Sequence, residues 1–133
     1  MRTTARETVF KIVFASQFCE AEKPFIKAMY AADKLNEDDT EYCNKILETI
    51  DAHKAEFIEI LDGHSKLFPE SGLFNADRSI LLIALAEMFY FDDIPSAVSI
   101  NEAANIASKY SSAKSASFVS GLLSEILREK QNV

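Results

Sequence analysis

The chain has 133 residues, a length that fits one domain able to bury a core of its own. Apolar residues make up 48% and charged residues 26%, which excludes wholesale disorder, and 3 glycines with 3 prolines are too few for the many turns of a β-sandwich or barrel. The net charge of −7 lies entirely in residues 20–62, where twelve acidic side chains meet five basic ones; elsewhere nine acids face nine bases, so a broadly basic nucleic-acid surface is excluded but a local basic face is not.

The acidic block itself reads as a solvated face. The longest apolar run, residues 80–91, is broken by Glu87 and is shorter than the roughly 18 residues a membrane span needs. It reads as a buried helix, and no membrane association is expected. The first residues carry no apolar signal region. Cys19 and Cys43 have no metal-ligand spacing and are too few for a disulfide framework, which points to the cytoplasm.

Helical periodicity runs from end to end. Thr4-x-x-Glu7 is a capping box that predicts a helix starting near Thr4. Phe10, Phe14 and Phe18 then recur at every fourth residue beside Val9, Ile12 and Val13, an apolar stripe. Pro24 suits the first turn of a short second helix ending near Asp33. Asp38-x-x-Glu41 opens a third, with Ile46, Leu47 and Ile50 inside. A break near Ala52 or His53 separates it from a fourth, which buries Phe57, Ile58, Ile60 and Leu61 and stops near Gly63. Residues 67–75 read as a loop.

Asn75 or Asp77 can cap the helix over 78–91, which is apolar nearly all round and therefore central. Pro95 ends that stretch, because a residue before proline avoids helical angles. Ser99-x-x-Glu102 is another capping box and opens a helix with Ile100, Ala103, Ala104, Ala107 and Tyr110 inward. Residues 111–117 read as a polar turn. The last helix pairs apolar residues at 118/119, 122/123 and 126/127, with Arg128 and Lys130 suiting its C-terminal dipole. The expected fold is all-α, about seven helices in two packed helical subdomains, approximately 1–66 and 75–133, forming one domain over 1–133.

No phosphate loop, nucleophile elbow or zinc-binding His-Glu-x-x-His motif occurs. His53 and His64 are 11 residues apart and read as ordinary helix-end histidines. Asp38-Asp39 and Asp92-Asp93 sit at helix boundaries, where capping explains them. No catalytic residue, metal or cofactor is therefore expected, and the chain does not read as an enzyme.

The stretch Asp93-Ile94-Pro95-Ser96-Ala97-Val98-Ser99-Ile100-Asn101-Glu102-Ala103 resembles the D-I-P-x-x-V-x-I-N-E-A signature of the bacterial NusB transcription antitermination family. Three other pieces resemble the family in the same order: Ala5-Arg6-Glu7 at the front, the central helix carrying Glu87, and Lys114-Ser115-x-x-Phe118-Val119-Ser120-Gly121 near the end. The resemblance implies two helical subdomains that bind boxA-type single-stranded RNA together with NusE, a small-subunit ribosomal protein. It implies a place in the RNA polymerase antitermination complex of ribosomal RNA operons. Arg2 and Arg6 would make one RNA contact, Lys114 and Phe118 a second. Phe14 and Glu87 would lie toward the protein partner. Arg6→Ala is then expected to weaken RNA binding and leave the domain folded.

The sequence departs from the family pattern at several polar positions. Only Arg2 and Arg6 remain of the front arginines, and Phe14, Leu82, Ser117 and Ser120 replace the usual Tyr, Arg, Lys and Asn. Fewer cations imply weak, salt-sensitive RNA binding without a partner. Two alternatives stay open. One is a diverged module for protein–protein contact. The other is a role in ribosomal RNA processing, like the NusB-like module of RNA cytosine methyltransferases, although the chain ends at Val133 without such a domain. A homodimer is also open.

Overall fold

The computed structural model describes residues 2–64 and 75–131. Among these residues there are six helices and no strand: α1 (Arg2–Ser16), α2 (Lys23–Ala32), α3 (Glu37–His64), α4 (Asn75–Tyr90), α5 (Ser96–Tyr110) and α6 (Ala113–Gln131). Of the expected loop over 67–75 only Asn75 lies within the described residues, and it begins α4.

The expected count of seven helices and the observed six differ through a single place. His53 leaves the helical region (φ −122°, ψ 16°), so the expected third and fourth helices run on as one α3 with a kink between them. Asn36 starts α3: its Oδ1 accepts the Asp39 N–H at 2.8 Å, and Glu37, Asp38 and Asp39 in the first turn favour the positive end of the helix dipole. Ile46 and Ile50 are buried before the kink, Phe57 and Leu61 after it.

α4 occupies the centre, as its composition predicts. Every residue of the run 79–88 is buried, and α1, α3, α5 and α6 all pack against it. A helix surrounded on all sides can be apolar all round. α5 and α6 form the tightest pair, and α1 and α3 cover the other side of α4. Phe57, Leu61, Leu81, Leu85 and Leu123 are fully buried, and each contributes about 2 kcal/mol by leaving water.

Four expected starts move, that of α4 from residue 78 to Asn75, which puts both candidate caps, Asn75 and Asp77, inside the helix. α1 begins at Arg2, not Thr4, so Thr4 lies inside the helix and its carbonyl accepts from Thr8 Oγ1 at 3.0 Å. α5 begins at Ser96 behind Pro95, not behind Ser99. α6 begins at Ala113, where Ser112 Oγ accepts the Ser115 N–H at 3.0 Å; the expected polar turn over 111–117 shrinks to two residues. For α1 and α5 a Ser/Thr-x-x-Glu pattern signalled something other than a cap.

Candidate nucleic-acid interface

Glu87 sits in the middle of α4 with 1% of its surface exposed. A carboxylate there needs partners on every lone pair. Oε2 accepts from Arg6 Nε at 2.8 Å and from the Tyr42 hydroxyl; Oε1 accepts from Arg6 Nη2 at 3.1 Å and from Ser99 Oγ at 2.8 Å. The partners come from α1, α3 and α5, so one charge ties four helices together. Arg6 also lies 3.7 Å from Glu102 Oε1, which accepts from Thr3 Oγ1 at 3.1 Å. Burial pulls the Arg6 guanidinium down, yet the hydrogen bond and charge of Glu87 outweigh it and hold Arg6 above its ordinary value. Burial, reinforced by Glu87, pushes the Tyr42 hydroxyl well above the usual range.

This geometry revises two expected roles. Arg6 is 4% exposed and spends its fork on Glu87, so it does not present its guanidinium to RNA in this structure. Glu87 is likewise enclosed and cannot touch a protein partner directly. Both hold α1, α3, α4 and α5 together. The network also explains the displaced capping boxes. Ser99 serves Glu87 rather than its own helix, and Glu102 serves Arg6 and Thr3. Glu7 of the first box reaches across to α5, where Lys109 Nζ and the Tyr110 hydroxyl each donate to its Oε1 at 2.7 Å.

Arg2 remains at the surface. Its guanidinium carbon lies 4.4 Å above the Tyr42 ring, and its Nε is 3.6 Å from Asp39 Oδ1. Lys114 is exposed on the first turn of α6; Phe118, four residues on, is half-buried and packs against the core. Residues four apart on a helix share a face, so the structure brings Lys114 and Phe118 together. It does not bring them to Arg2. Ser115 Oγ contacts Asp77 at the start of α4 (3.3 Å), and Gln17 Nε2 donates to the Asn75 carbonyl at that same end (2.7 Å). The beginning of α6 thus lies by the far end of α1, about 20 Å along the helix from Arg2. Between them stand Lys109 and Tyr110.

Phe14 is partly exposed and belongs to a ladder of rings. Phe10 and Phe14 are 6.0 Å apart, Phe14 and Phe18 5.3 Å, and Phe10 and Tyr110 5.0 Å, with Phe18 and Tyr110 also exposed. Sequence reasoning found the three phenylalanines by their spacing. It missed Tyr42, Ser99 and Glu102 as network members, because nothing local marks a partner 12 to 99 residues away.

Among the described residues, no group of three or more His, Cys, Asp or Glu side chains is placed to hold a metal ion. No helix of those residues is long and apolar enough to cross a membrane. What the arrangement offers is recognition, by cations and aromatic rings held on a rigid helical frame.

Residues 3–128 match the NusB family, and the chain belongs to that family. The transcription antitermination protein NusB of Syntrophomonas wolfei is 32% identical over 130 residues, covering 97% of each chain. That of Natranaerobius thermophilus is 30% identical over 132 residues, covering 96% of this chain and 95% of the relative. The structure of T. maritima NusB superposes with a TM-score of 0.86 at 25% identity, over 97% of this chain and 92% of that one. A complex of antitermination factors NusB and NusE with dsRNA contains a chain of the same fold, with a TM-score of 0.85 at 24% identity over 96% of each.

Proposed function

We propose that the protein is a cytoplasmic transcription antitermination factor that binds boxA-type single-stranded RNA together with NusE. The observation that carries this reading is the match of residues 3–128 to one family, whose curated members are named for antitermination. The solved complex of NusB, NusE and double-stranded RNA shares the fold and supports both partner classes. The described surface supports them too. Arg2, Lys109 and Lys114 supply cations along a face crossed by Tyr110, and aromatic rings with guanidinium or ammonium groups suit unstacked bases and phosphates. Phe118 supports Lys114 from the same face of α6. Phe14 and Phe18 form the apolar part of the surface offered to NusE. The chain acts by binding, not by catalysis.

So small a cation set binds RNA weakly alone, and NusE supplies the rest of the contact. Size-exclusion chromatography of the chain with NusE and a boxA RNA tests this. A ternary complex is expected with boxA RNA and not with a scrambled RNA. Separate elution of the chain from both partners at low salt would overturn the proposal.

A further inference from the structure

Arg2 is the first residue of α1, where an arginine side chain would normally sample many rotamers. Here 43% of the side chain is exposed, yet the guanidinium lies 4.4 Å over the ring of Tyr42 and its Nε faces Asp39 Oδ1 at 3.6 Å. That distance to the ring is well inside the range of cation–π attraction. The ring itself is fixed. Tyr42 is buried, its edge meets Phe91 (5.9 Å, 72°), and its hydroxyl is bound to Glu87, which Arg6 and Ser99 hold in turn. The buried network therefore ends in an aromatic ring, held at its edge and its hydroxyl, beneath the exposed Arg2 guanidinium, while that of buried Arg6 lies 5.7 Å from the same ring.

We propose that Tyr42 is a positioning residue for RNA binding: its ring holds the Arg2 guanidinium in place, pre-oriented to take an RNA phosphate. The proposal rests on the reading of Arg2 as an RNA contact. A planar fork set in advance loses less freedom on meeting a phosphate than a mobile one. Tyr42 touches no RNA itself. Its contribution is to affinity, and it leaves the number of charges in the contact unchanged.

The test is RNA affinity in the presence of NusE, with a labelled boxA RNA over a salt series, for the wild type and for Tyr42→Phe, Tyr42→Leu, Arg2→Ala and Lys114→Ala. Tyr42→Phe keeps the ring and is expected to bind within about twofold of wild type, although its melting temperature falls because Glu87 loses a donor. Tyr42→Leu removes the platform and is expected to weaken binding roughly threefold to tenfold with the salt slope unchanged. Arg2→Ala is expected to weaken binding and to flatten the slope by about 0.7, one contact on a single strand. Loss in Tyr42→Phe equal to that in Tyr42→Leu would overturn the proposal, since it would trace the effect to the buried network and not to the ring. Wild-type affinity in Tyr42→Leu would overturn it too.

Should Tyr42→Leu fail to fold, nitrogen relaxation of the arginine Nε groups in the wild type decides. Arg2 is expected to be ordered like buried Arg6; relaxation like that of exposed Arg128 would overturn the proposal. Normal binding by Arg2→Ala with weakened binding by Lys114→Ala would sink the platform and keep the RNA reading. No binding by wild type with NusE would sink both.

Discussion

Glu87 is a charge in a place with almost no water, and four hydrogen bonds from three residues hold it there. Removing one partner of a buried pair costs far more than the pair contributes, because the other charge is left unanswered. Arg6→Ala is therefore expected to destabilise the fold by about 4 kcal/mol, read from the midpoint of urea unfolding. This reverses the expectation that the variant stays folded and loses only RNA affinity; a midpoint equal to wild type would restore it. Two other carboxylates predict opposite responses to pH. Burial pushes Glu7 up, but hydrogen bonds from Lys109 and Tyr110 outweigh it and hold its carboxyl below the usual range. Its contribution to stability is present above its unfolded pKa and lost as pH falls through the lower folded value. Asp77 is 4% exposed, its Oδ1 has no partner, and burial pushes its carboxyl up against a single offsetting contact from Ser115. Its contribution is present below its unfolded pKa and lost as pH rises through the higher folded value. Between pH 3 and pH 7, the melting temperature of Glu7→Gln relative to wild type should fall, and that of Asp77→Asn should rise. Parallel melting curves for either variant would contradict the assignment. The motif around Ala5-Arg6-Glu7 was legible in sequence as important. What it does was not, since Arg6 answers a residue 81 positions away and Glu7 one 102 positions away.

At the scale of elements, α2 closes with a local strain. Lys34 has a positive φ of 54°, and the amides of Lys34 and Leu35 return to the carbonyls of Ala31 and Tyr30. This left-handed position just past a helix end favours glycine. Lys34→Gly is expected to raise stability by about 0.5 kcal/mol, measured by urea unfolding, and a loss of stability would contradict it. The central helix was legible because ten consecutive mostly apolar residues leave no face for water. The kink in α3 was legible near its true place, where His53 now stacks on Tyr90 at 4.0 Å and the Tyr90 hydroxyl donates to Glu56 at 2.7 Å. Sequence could not show that the chain stays helical on both sides without a loop. The helix starts misled wherever a Ser or Thr lay three residues before a Glu, because the same pair that caps a helix also suits a tertiary network. Lys130 gives another case: its Nζ donates to the Met88 carbonyl and so closes α4, whereas its position in the sequence suggested only its own helix.

Across the whole molecule, charge and shape give a consistent picture. The acidic excess lies in residues 20–62, and the described cations along α1, α5 and the start of α6 are few and spread over about 20 Å. Such a surface cannot hold RNA tightly by counterion release alone, and each phosphate neutralised on a single strand adds only about 0.7 to the salt slope. The fold class and family were legible in sequence because they rest on ordered motifs spanning the chain. The spatial layout was not, because the two expected RNA contacts, near in function, are placed at opposite ends of one helix. The decisive measurement is fluorescence anisotropy of boxA and scrambled RNA with the chain alone and with NusE, across a salt series. The account predicts weak binding by the chain alone with a shallow slope of about −2, as three cations give, and tight binding that prefers boxA once NusE is added. Tight binding by the chain alone with a slope steeper than about −4, or no gain from NusE, would contradict it.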